Sequence, residues 1–189
     1  MGQHGYVHGS VSVSTGMTAE EWAATVVEAN GPDLLRYFIR RDATEHHDLL
    51  SETFVVIWRR REHLPREAVA ARMWSFGVAR NVLHHHHRRR RMANLTVERV
   101  AREVQDRASE DPAEASEATE RREAIRAALR TLSERNRELI ILVHWDGFSI
   151  VDAASLLRIN PSTARTRYER AKRHLAAELS SYGTIAVDD

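Results

Sequence analysis

The residues with the clearest chemical potential lie at 72–92, where an apolar stripe is followed by a run of cations. Read as one helix, this stretch has large apolar residues at helical spacing, namely Met73, Trp74, Phe76, Val78, Ala79, Val82 and Leu83. Arg72, Arg80 and Asn81 are predicted to lie largely on the other side, and four His and four Arg follow. A helix with one apolar flank and a cationic flank and end is suited to binding a polyanion, so nucleic acid is the first candidate ligand.

A second cationic surface is predicted near the C-terminal end. Asn160-Pro161 starts a helix there, only a few residues after a short helix ends near Arg158, which is helix-turn-helix spacing. Opposite its apolar stripe this helix exposes Ser162, Thr163, Arg165, Thr166, Arg167, Glu169, Arg170 and Arg173. A bidentate Arg–guanine contact in the major groove discriminates by about 1–3 kcal/mol, so Arg165 or Arg167 could set sequence specificity. An ordinary solvated helix face would show the same spacing.

The four successive His at 84–87 raise the question of a metal ion. Their side chains point around a helix, and only His84 and His87 share a face, so we expect neither a metal nor another cofactor. A pH-dependent contribution to anion binding is the favoured interpretation, since His changes charge near neutrality. The chain has no Cys, which excludes disulfides and thiolate metal sites. With no nucleophile–base pair and no phosphate-cradling loop in view, we do not expect an enzyme.

The charges are strongly segregated, although the formal net charge is only +1. Residues 35–93 carry +7 and residues 121–189 carry +3, whereas residues 1–34 carry −4 and residues 94–120 carry −5. Two basic blocks separated by an acidic one are typical of two anion-binding domains joined by an acidic linker. All cations but Lys172 are Arg, which suits bidentate contacts to phosphates and bases, although a genome-composition bias would give the same count.

Apolar periodicity predicts an all-α chain made of two small helical domains. The first, at 18–93, should hold four helices: 18–30 with a capping box at Thr18, 34–41, 44–61 started by Thr44, and the helix of 72–92. Gly31-Pro32 is expected to end the first helix, and a loop at 62–71 precedes the last.

The second domain, at 121–183, should hold four more helices, with starts at Ser133, Ser149 and Asn160 and a stop at Gly147. Residues 1–17 are predicted to be a disordered tail, and residues 94–120 an acidic linker. The longest apolar run, at 139–143, is too short to span a bilayer, and the N-terminus lacks a signal-peptide pattern. We therefore expect a soluble, cytoplasmic protein without membrane insertion.

Three motifs point to a known family. Residues 132–175, which contain L-S-E-R-N-R-E and later G-F-S-I-V-D-A-A-S-L-L-R, resemble region four of bacterial sigma factors of the extracytoplasmic-function group. Residues 48–58, D-L-L-S-E-T-F-V-V-I-W, resemble the D-L-h-Q-E-x-F-x-x-x-W of region two, and residues 73–91 resemble the A-W-L-h-x-I-A-R-N-x-h-x-D-x-x-R-R that follows it. The motifs match in order and separation.

Four positions depart from the family pattern. They are Ser51 for a Gln, Gly77 for a basic residue, His85 for an Asp, and Arg158 for the common Gly of the helix-turn-helix turn. Because a β-carbon disfavours the left-handed backbone, Arg158 argues against the usual geometry of that turn. His85 makes the helix of 72–92 more cationic than the family usually has it.

The resemblance implies an alternative sigma factor, which directs core RNA polymerase to specific promoters and assists their opening. It implies contacts to the clamp helices of the largest polymerase subunit from Asp48, Leu49, Glu52, Phe54 and Trp58, with the polymerase flap as a further partner. It implies −10 DNA contacts from Arg66, Arg72, Arg80, Asn81, His84 and Arg88, and a pocket for an unstacked base in the loop at 62–71. The implied −35 contacts are Ser162, Thr163, Arg165, Thr166, Arg167, Arg170 and Arg173.

Several alternatives remain open at the level of sequence. The stripe position of Trp74 favours a core role over a wedge for melting DNA. A core role is also favoured for Phe54, and it is an open alternative for Trp58. The acidic linker could lie in the polymerase cleft or be a solvated spacer. The family also implies an anti-sigma factor that masks the binding surfaces. The rival function is a stand-alone helix-turn-helix transcriptional regulator, which would leave the match at 48–92 unexplained.

Overall fold

The computed structural model describes residues 16–97 and 117–181, which form seven α-helices and no strand. The helices are α1 (Ala19–Ile39), α2 (His46–Arg59), α3 (Ala68–Val97), α4 (Glu117–Thr131), α5 (Glu134–His144), α6 (Ile150–Leu157) and α7 (Pro161–Ser181). A short 3-10 helix, Arg61–His63, precedes α3. The chain divides into one compact unit with α1–α3 and another with α4–α7, which confirms the all-α, two-domain prediction. Most of the predicted tail and linker lies outside the described residues.

None of the described helices combines the length and the apolar character that crossing a membrane would require.

Helix α1 is longer than the sequence predicts. It starts as expected, because Thr18 Oγ1 accepts from the Glu21 N–H at 3.1 Å while Glu21 Oε2 accepts from the Thr18 N–H at 2.8 Å. The predicted break at Gly31-Pro32 is wrong, since the helix runs through Pro32 to Ile39. Proline inside a helix costs about 3 kcal/mol, but the fully buried residues that follow contribute about 1.5–3 kcal/mol each. These residues are Leu34, Tyr37 and Phe38.

The turn between α1 and α2 is organised by Asp42, not by Thr44. The predicted Thr44 cap is wrong, because α2 begins at His46 with Glu45 at its N-cap position and no side-chain cap. Asp42 Oδ1 instead accepts from the Thr44 and Glu45 N–H groups at 3.2 and 3.1 Å, and from Thr44 Oγ1 at 2.9 Å. A buried carboxylate thus satisfies the backbone donors that precede the helix.

In the second unit, Arg137 holds the end of α4 against the start of α5. Its Nε donates to the Leu129 carbonyl at 2.9 Å, and its NH2 donates to the Arg130 and Leu132 carbonyls at 3.3 and 3.1 Å. The guanidinium therefore supplies charged donors to carbonyls at the end of α4 and in the turn that follows it. Ser133 occupies the predicted N-cap position of α5 but makes no side-chain cap bond.

Candidate nucleic-acid and protein interfaces

Helix α2 presents an acidic and apolar face on the outside of the first unit. The exposed residues of α2 are His47, Asp48, Ser51, Glu52, Val55, Trp58 and Arg59, of which Arg59 lies on the same side as Glu52 and Val55. Val55 and Trp58 leave 47% and 46% of their surfaces in solvent. Val55 does not belong to the predicted site, although it lies three residues from both Glu52 and Trp58 and hence on the same side of the helix. Large apolar side chains exposed beside carboxylates are typical of a protein-binding surface.

Two residues predicted for this surface are less exposed than the others. Leu49 is only 1% exposed, so a direct partner contact from it is excluded in this conformation; one step along a helix from Asp48 rotates it by about 100°. Phe54 is half-buried, and its Cζ lies 3.4 Å from where a β-carbon on Gly31 would stand. Gly31 therefore lets Phe54 pack close to α1. The core alternative for Trp58 is wrong, because 46% of its surface is exposed.

Four of the predicted −10 residues share one side of α3. Arg80, Asn81, His84 and Arg88 span an arc of about 100°, given 3.6 residues per turn. Asn81, His84 and Arg88 are exposed and Arg80 is half-buried. Gly77 lies within the same arc, and a β-carbon there would meet nothing within 4 Å. This cationic face of α3 is therefore open along its middle.

Arg72 does not share this face, contrary to the prediction. It precedes Asn81 by about two and a half turns, which puts the two residues on opposite sides of α3. Its NH1 donates to Asp33 Oδ2 of α1 at 2.6 Å, and its guanidinium lies 4.6 Å from the centroid of the Phe76 ring. Arg72 thus joins α3 to α1 within the unit.

Arg66 also has partners within the unit. It is exposed, and its NH1 donates to the Met17 carbonyl at 3.0 Å and to the Thr18 carbonyl at 3.4 Å, at the start of α1. Part of the loop predicted at 62–71 is helical, because the 3-10 helix extends to His63 and α3 begins at Ala68.

Trp74 packs against a cluster formed by Trp22, Ala23, Val26, Leu64 and Ala71, which confirms the core interpretation.

The His run has a buried partner that the sequence pattern does not reveal. Asp42 Oδ2 faces three groups of α3, with His86 Nε2 at 3.5 Å, Arg90 NH1 at 3.4 Å and His87 Nε2 at 3.6 Å. His84 is exposed. A single Asp in a turn gives no sequence signal for this contact, which joins residues more than forty positions apart. Among the described residues, no group of three or more His, Asp or Glu is arranged to hold a metal ion.

Burial is the largest influence on the pKa values of Asp42 and His87. It raises the pKa of Asp42, but hydrogen bonds from Glu45 and Thr44 and the charge of Arg90 outweigh it, so the pKa lies below its ordinary value. Burial lowers the pKa of His87, and the attraction of Asp42 does not offset it because His86, Arg90 and Arg91 act with burial. Neutral His87 beside ionised Asp42 is therefore the favoured state near neutrality.

Helices α6 and α7 have helix-turn-helix geometry. Ser149 caps α6 by accepting from the Asp152 N–H at 3.1 Å, and Asn160 Oδ1 caps α7 by accepting from the Ser162 N–H at 2.9 Å. Arg158 adopts φ 55° and ψ 45°, so the expectation that it would prevent the left-handed turn is wrong. The N–H of Ile159 donates to the Ala154 carbonyl at 3.0 Å and helps to close this end of α6.

The predicted −35 residues lie around the solvent side of α7. Ala164 and Ala171 are buried in the stripe that faces the unit, with Tyr168 and Leu175 half-buried beside them. The exposed predicted residues are Ser162, Thr163, Arg165, Thr166, Arg170 and Arg173, while Arg167 is half-buried. Arg165 and Arg167 are separated by about 200° around the helix, so only one of them can point into a groove.

Comparison with known proteins gives a family for this arrangement. Residues 15–92 match the model of Sigma-70 region 2, and residues 122–175 match the model of Sigma-70, region 4. The chain is 30% identical over 152 residues to the ECF RNA polymerase sigma factor SigL of Mycobacterium tuberculosis, covering 79% of this chain and 84% of that protein.

Two solved structures share the fold. The sigma factor RpoE from Bartonella quintana, in complex with the anti-sigma factor NepR, superposes with a TM-score of 0.64 at 23% identity, covering 83% of this chain and 96% of that one. CnrH, in complex with the cytosolic domain of CnrY, gives a TM-score of 0.53 at 24% identity, covering 84% and 88%.

Two helical units that match regions 2 and 4 in this order define a sigma factor of the sigma-70 class. The chain belongs to the extracytoplasmic-function (ECF) group of RNA polymerase sigma factors. Its function is therefore that of an alternative sigma factor in transcription initiation. A stand-alone helix-turn-helix regulator is not favoured, because it would leave the region 2 match at residues 15–92 unexplained.

Proposed function

We propose that this sigma factor binds core RNA polymerase through the exposed face of α2 and promoter DNA through α3, the loop before it, and α7. The observation that carries the proposal is the exposure of Val55 and Trp58 next to Asp48 and Glu52. Aromatic residues at the centre of an interface contribute most of its binding energy, and the carboxylates suit a cationic partner. In the ECF family that partner is the pair of clamp helices in the largest polymerase subunit.

In this proposal, Leu49 and Phe54 support the polymerase-binding face from within the unit. Glu52 is held by α3, since Arg89 NH2 donates to its Oε2 at 3.2 Å, so Asp48 is the cleaner site for charge reversal. The polymerase flap is proposed as the partner of the second unit.

The cationic face of α3 is proposed to hold the −10 strand through Arg80, Asn81, His84 and Arg88. Extruding a base costs a few kcal/mol, which charge-assisted contacts to the strand offset. The loop between α2 and α3 is proposed to receive that base. Arg66 and Arg72 act through the loop and the helix that they fix, because both already bind groups of the first unit.

Helix α7 is proposed to lie in the major groove of the −35 element. Its small hydroxyl residues sit in the first turns, where a recognition helix approaches base edges, and its Arg residues suit guanine and phosphate. The residues assigned to this contact are Ser162, Thr163, Arg165, Thr166, Arg167, Arg170 and Arg173.

We also propose an anti-sigma partner that covers these surfaces. RpoE and CnrH, which share the fold, are each bound to another protein in their structures, an anti-sigma factor in the case of RpoE. Because RNA polymerase and promoter DNA are cytoplasmic, the protein is proposed to act there, with no cofactor and no catalytic residues of its own.

The test is the affinity of the full chain for core RNA polymerase, measured by titration of a fluorescent label. Trp58→Ala should weaken binding by about 30-fold, the loss typical of an aromatic hot spot, and Asp48→Arg should weaken it as well. The matched control is Ile39→Ala, because Ile39 is a large apolar residue of the same unit with the same 46% exposure. Equal, small effects of Trp58→Ala and Ile39→Ala would remove α2 as the polymerase contact.

A further inference from the structure

The loop between α2 and α3, residues 60–67 and hereafter the α2–α3 loop, is attached to the start of α1. Three hydrogen-bonding side chains make the attachment: Trp22 to Pro65, Arg66 to Met17 and Thr18, and Arg61 to Glu20. Each joins residues more than forty positions apart in the sequence. The loop is therefore held by another element and not only by the two helices that it connects.

The bond from Trp22 is the most enclosed of the three. The indole is 1% exposed, and its Nε1–H donates to the Pro65 carbonyl at 2.7 Å. Leu64, the neighbouring loop residue, is buried in the same apolar cluster as Trp22. The burial of Leu64 and the hydrogen bond to Pro65 thus fix two neighbouring positions of the loop backbone. Without the indole N–H, the Pro65 carbonyl would lose this donor, which costs stability in an enclosed site.

Two Arg residues hold the rim of the loop. Arg61 NH2 donates to Glu20 Oε1 at 3.0 Å, and Arg66 NH1 donates to backbone carbonyls ahead of α1. Glu67 ends the loop by accepting from the N–H groups of Val69 and Ala70 at 2.9 and 2.7 Å, which caps α3. Both ends of the loop are consequently fixed.

Between these attachments, Glu62 and His63 project into solvent. They are the exposed side chains of the 3-10 helix, on a backbone whose neighbours on both sides are held. An exposed pair on a fixed backbone is suited to selecting one ligand shape over another, because a preorganised loop loses little entropy on binding.

We propose that Trp22, Arg66 and the Arg61–Glu20 pair are positioning residues that set promoter specificity by fixing the α2–α3 loop on the start of α1. The inference rests on the proposed function, in which this loop receives a base of the −10 element. None of the three groups needs to touch DNA. Loosening them lets the loop adopt other shapes, so that the wrong base is accepted almost as readily as the right one.

The experiment uses the full chain with core RNA polymerase and a promoter whose −10 element that holoenzyme has selected from a randomised pool. Open-complex formation is measured on this promoter and on single-base variants of its −10 element. Trp22→Phe keeps an aromatic ring but removes the N–H donor together with part of the buried indole volume, and it should reduce discrimination between correct and wrong bases about fivefold, the effect of one hydrogen bond. Duplex binding at the −35 element should not change.

Two further variants separate positioning from stability. Val26→Ala removes apolar volume from the cluster that also holds Leu64 but leaves every hydrogen bond from the loop to α1 in place, so it should lower the melting temperature and change the base preference far less than Trp22→Phe. Arg66→Gln alters an exposed residue that the fold tolerates, and it should relax the preference in the same direction as Trp22→Phe.

The outcomes distinguish the inference from the proposed function beneath it. Glu62→Ala and His63→Ala are measured first, and no change in base preference from either means that the loop does not read the −10 element, which overturns the inference together with the proposed role of the loop; the polymerase contact of α2 is judged separately by Trp58→Ala. If they change the preference but Trp22→Phe and Arg66→Gln behave like Val26→Ala, the loop reads DNA without help from α1, and the positioning inference alone is wrong.

Discussion

His87 Nε2 lies 3.6 Å from Asp42 Oδ2, yet the His87 pKa lies below its ordinary value of 6.5. Burial is the main cause, and the neighbouring His86, Arg90 and Arg91 act in the same direction. Because the folded protein disfavours the charged form of His87, the unfolded chain binds more protons below that ordinary value. The stabilising contribution is therefore complete above about pH 6.5 and is lost as the pH falls through the lower folded-state pKa.

We predict that the melting temperature of the full chain falls on acidification from about pH 7 to about pH 5, and that His87→Gln makes this fall shallower. The Asp42 pKa is also lowered, so its contribution is lost in the same direction but further into acid, below its ordinary value of 3.8. Thermal unfolding followed by circular dichroism measures the effect.

His144→Gln serves as the control for the pH experiment. The His144 pKa is also lowered, first by burial and then by Lys172, but this residue lies in the second unit, where it stacks on Tyr168. The two substitutions should act on different unfolding transitions. If the melting temperature of His87→Gln falls with pH as steeply as that of the unsubstituted protein, protonation of His87 does not affect stability and the prediction is wrong.

Gly77 offers a way to strengthen both α3 and its cationic face. Glycine inside a helix costs up to about 1 kcal/mol relative to alanine, and a β-carbon here meets nothing within 4 Å. Gly77→Ala should therefore raise the free energy of unfolding by up to about 1 kcal/mol, measured by urea denaturation.

Gly77→Arg adds a cation to the same arc as Arg80 and Asn81. The slope of log affinity against log salt should steepen by about 0.7 for −10 single-stranded DNA, which corresponds to one additional phosphate contact. Gly77→Gln provides the neutral comparison. A salt slope that stays equal in the Arg and Gln variants would place this face of α3 away from the DNA backbone.

Arg137 should matter more to stability than its neighbour in the same motif. It donates to three carbonyls around the α4–α5 connection, whereas Arg135 is exposed. Arg137→Ala leaves these carbonyls without a charged donor and should cost about 2–3 kcal/mol of unfolding free energy. Arg135→Ala should cost less than about 0.5 kcal/mol, as surface substitutions do. Chemical denaturation of the two variants in parallel decides this, and similar losses would contradict the capping role.

Features set by interactions between neighbouring residues are predicted correctly from the sequence, whereas features set by contacts between distant residues are not. Thr18, Ser149 and Asn160 each bond to a backbone N–H within three residues, so short patterns identify these helix starts. The helix break predicted at Pro32 and the turn geometry predicted at Arg158 are both wrong, because contacts elsewhere in each unit override a local preference. The left-handed Arg158 costs about 1–2 kcal/mol, which the packing of α6 against α7 offsets.

The same distinction applies to the candidate sites. The face of α7 is readable from spacing alone, whereas Arg66 and Arg72 bond to residues 49 and 39 positions away, a relation that no spacing rule contains. Leu49 is adjacent to Asp48 in the motif but lies in the core. A motif therefore identifies the helix that carries a site, and the packing of that helix decides which of its residues are available.

The geometry of α7 separates the two Arg residues that could read the −35 element. Arg165 is exposed on the side of Ser162, while Arg167 is half-buried beside the stripe of Ala164 and Ala171. Arg165→Ala should therefore cost the holoenzyme about 1–3 kcal/mol in binding a selected −35 duplex, and Arg167→Ala clearly less. Arg165→Lys is the diagnostic variant, because Lys preserves the charge but not the bidentate fork. If Arg165 reads a base, Lys will keep the salt dependence but lose discrimination at one position; if it contacts only phosphate, Lys will restore both, and sequence preference must come from another residue of α7.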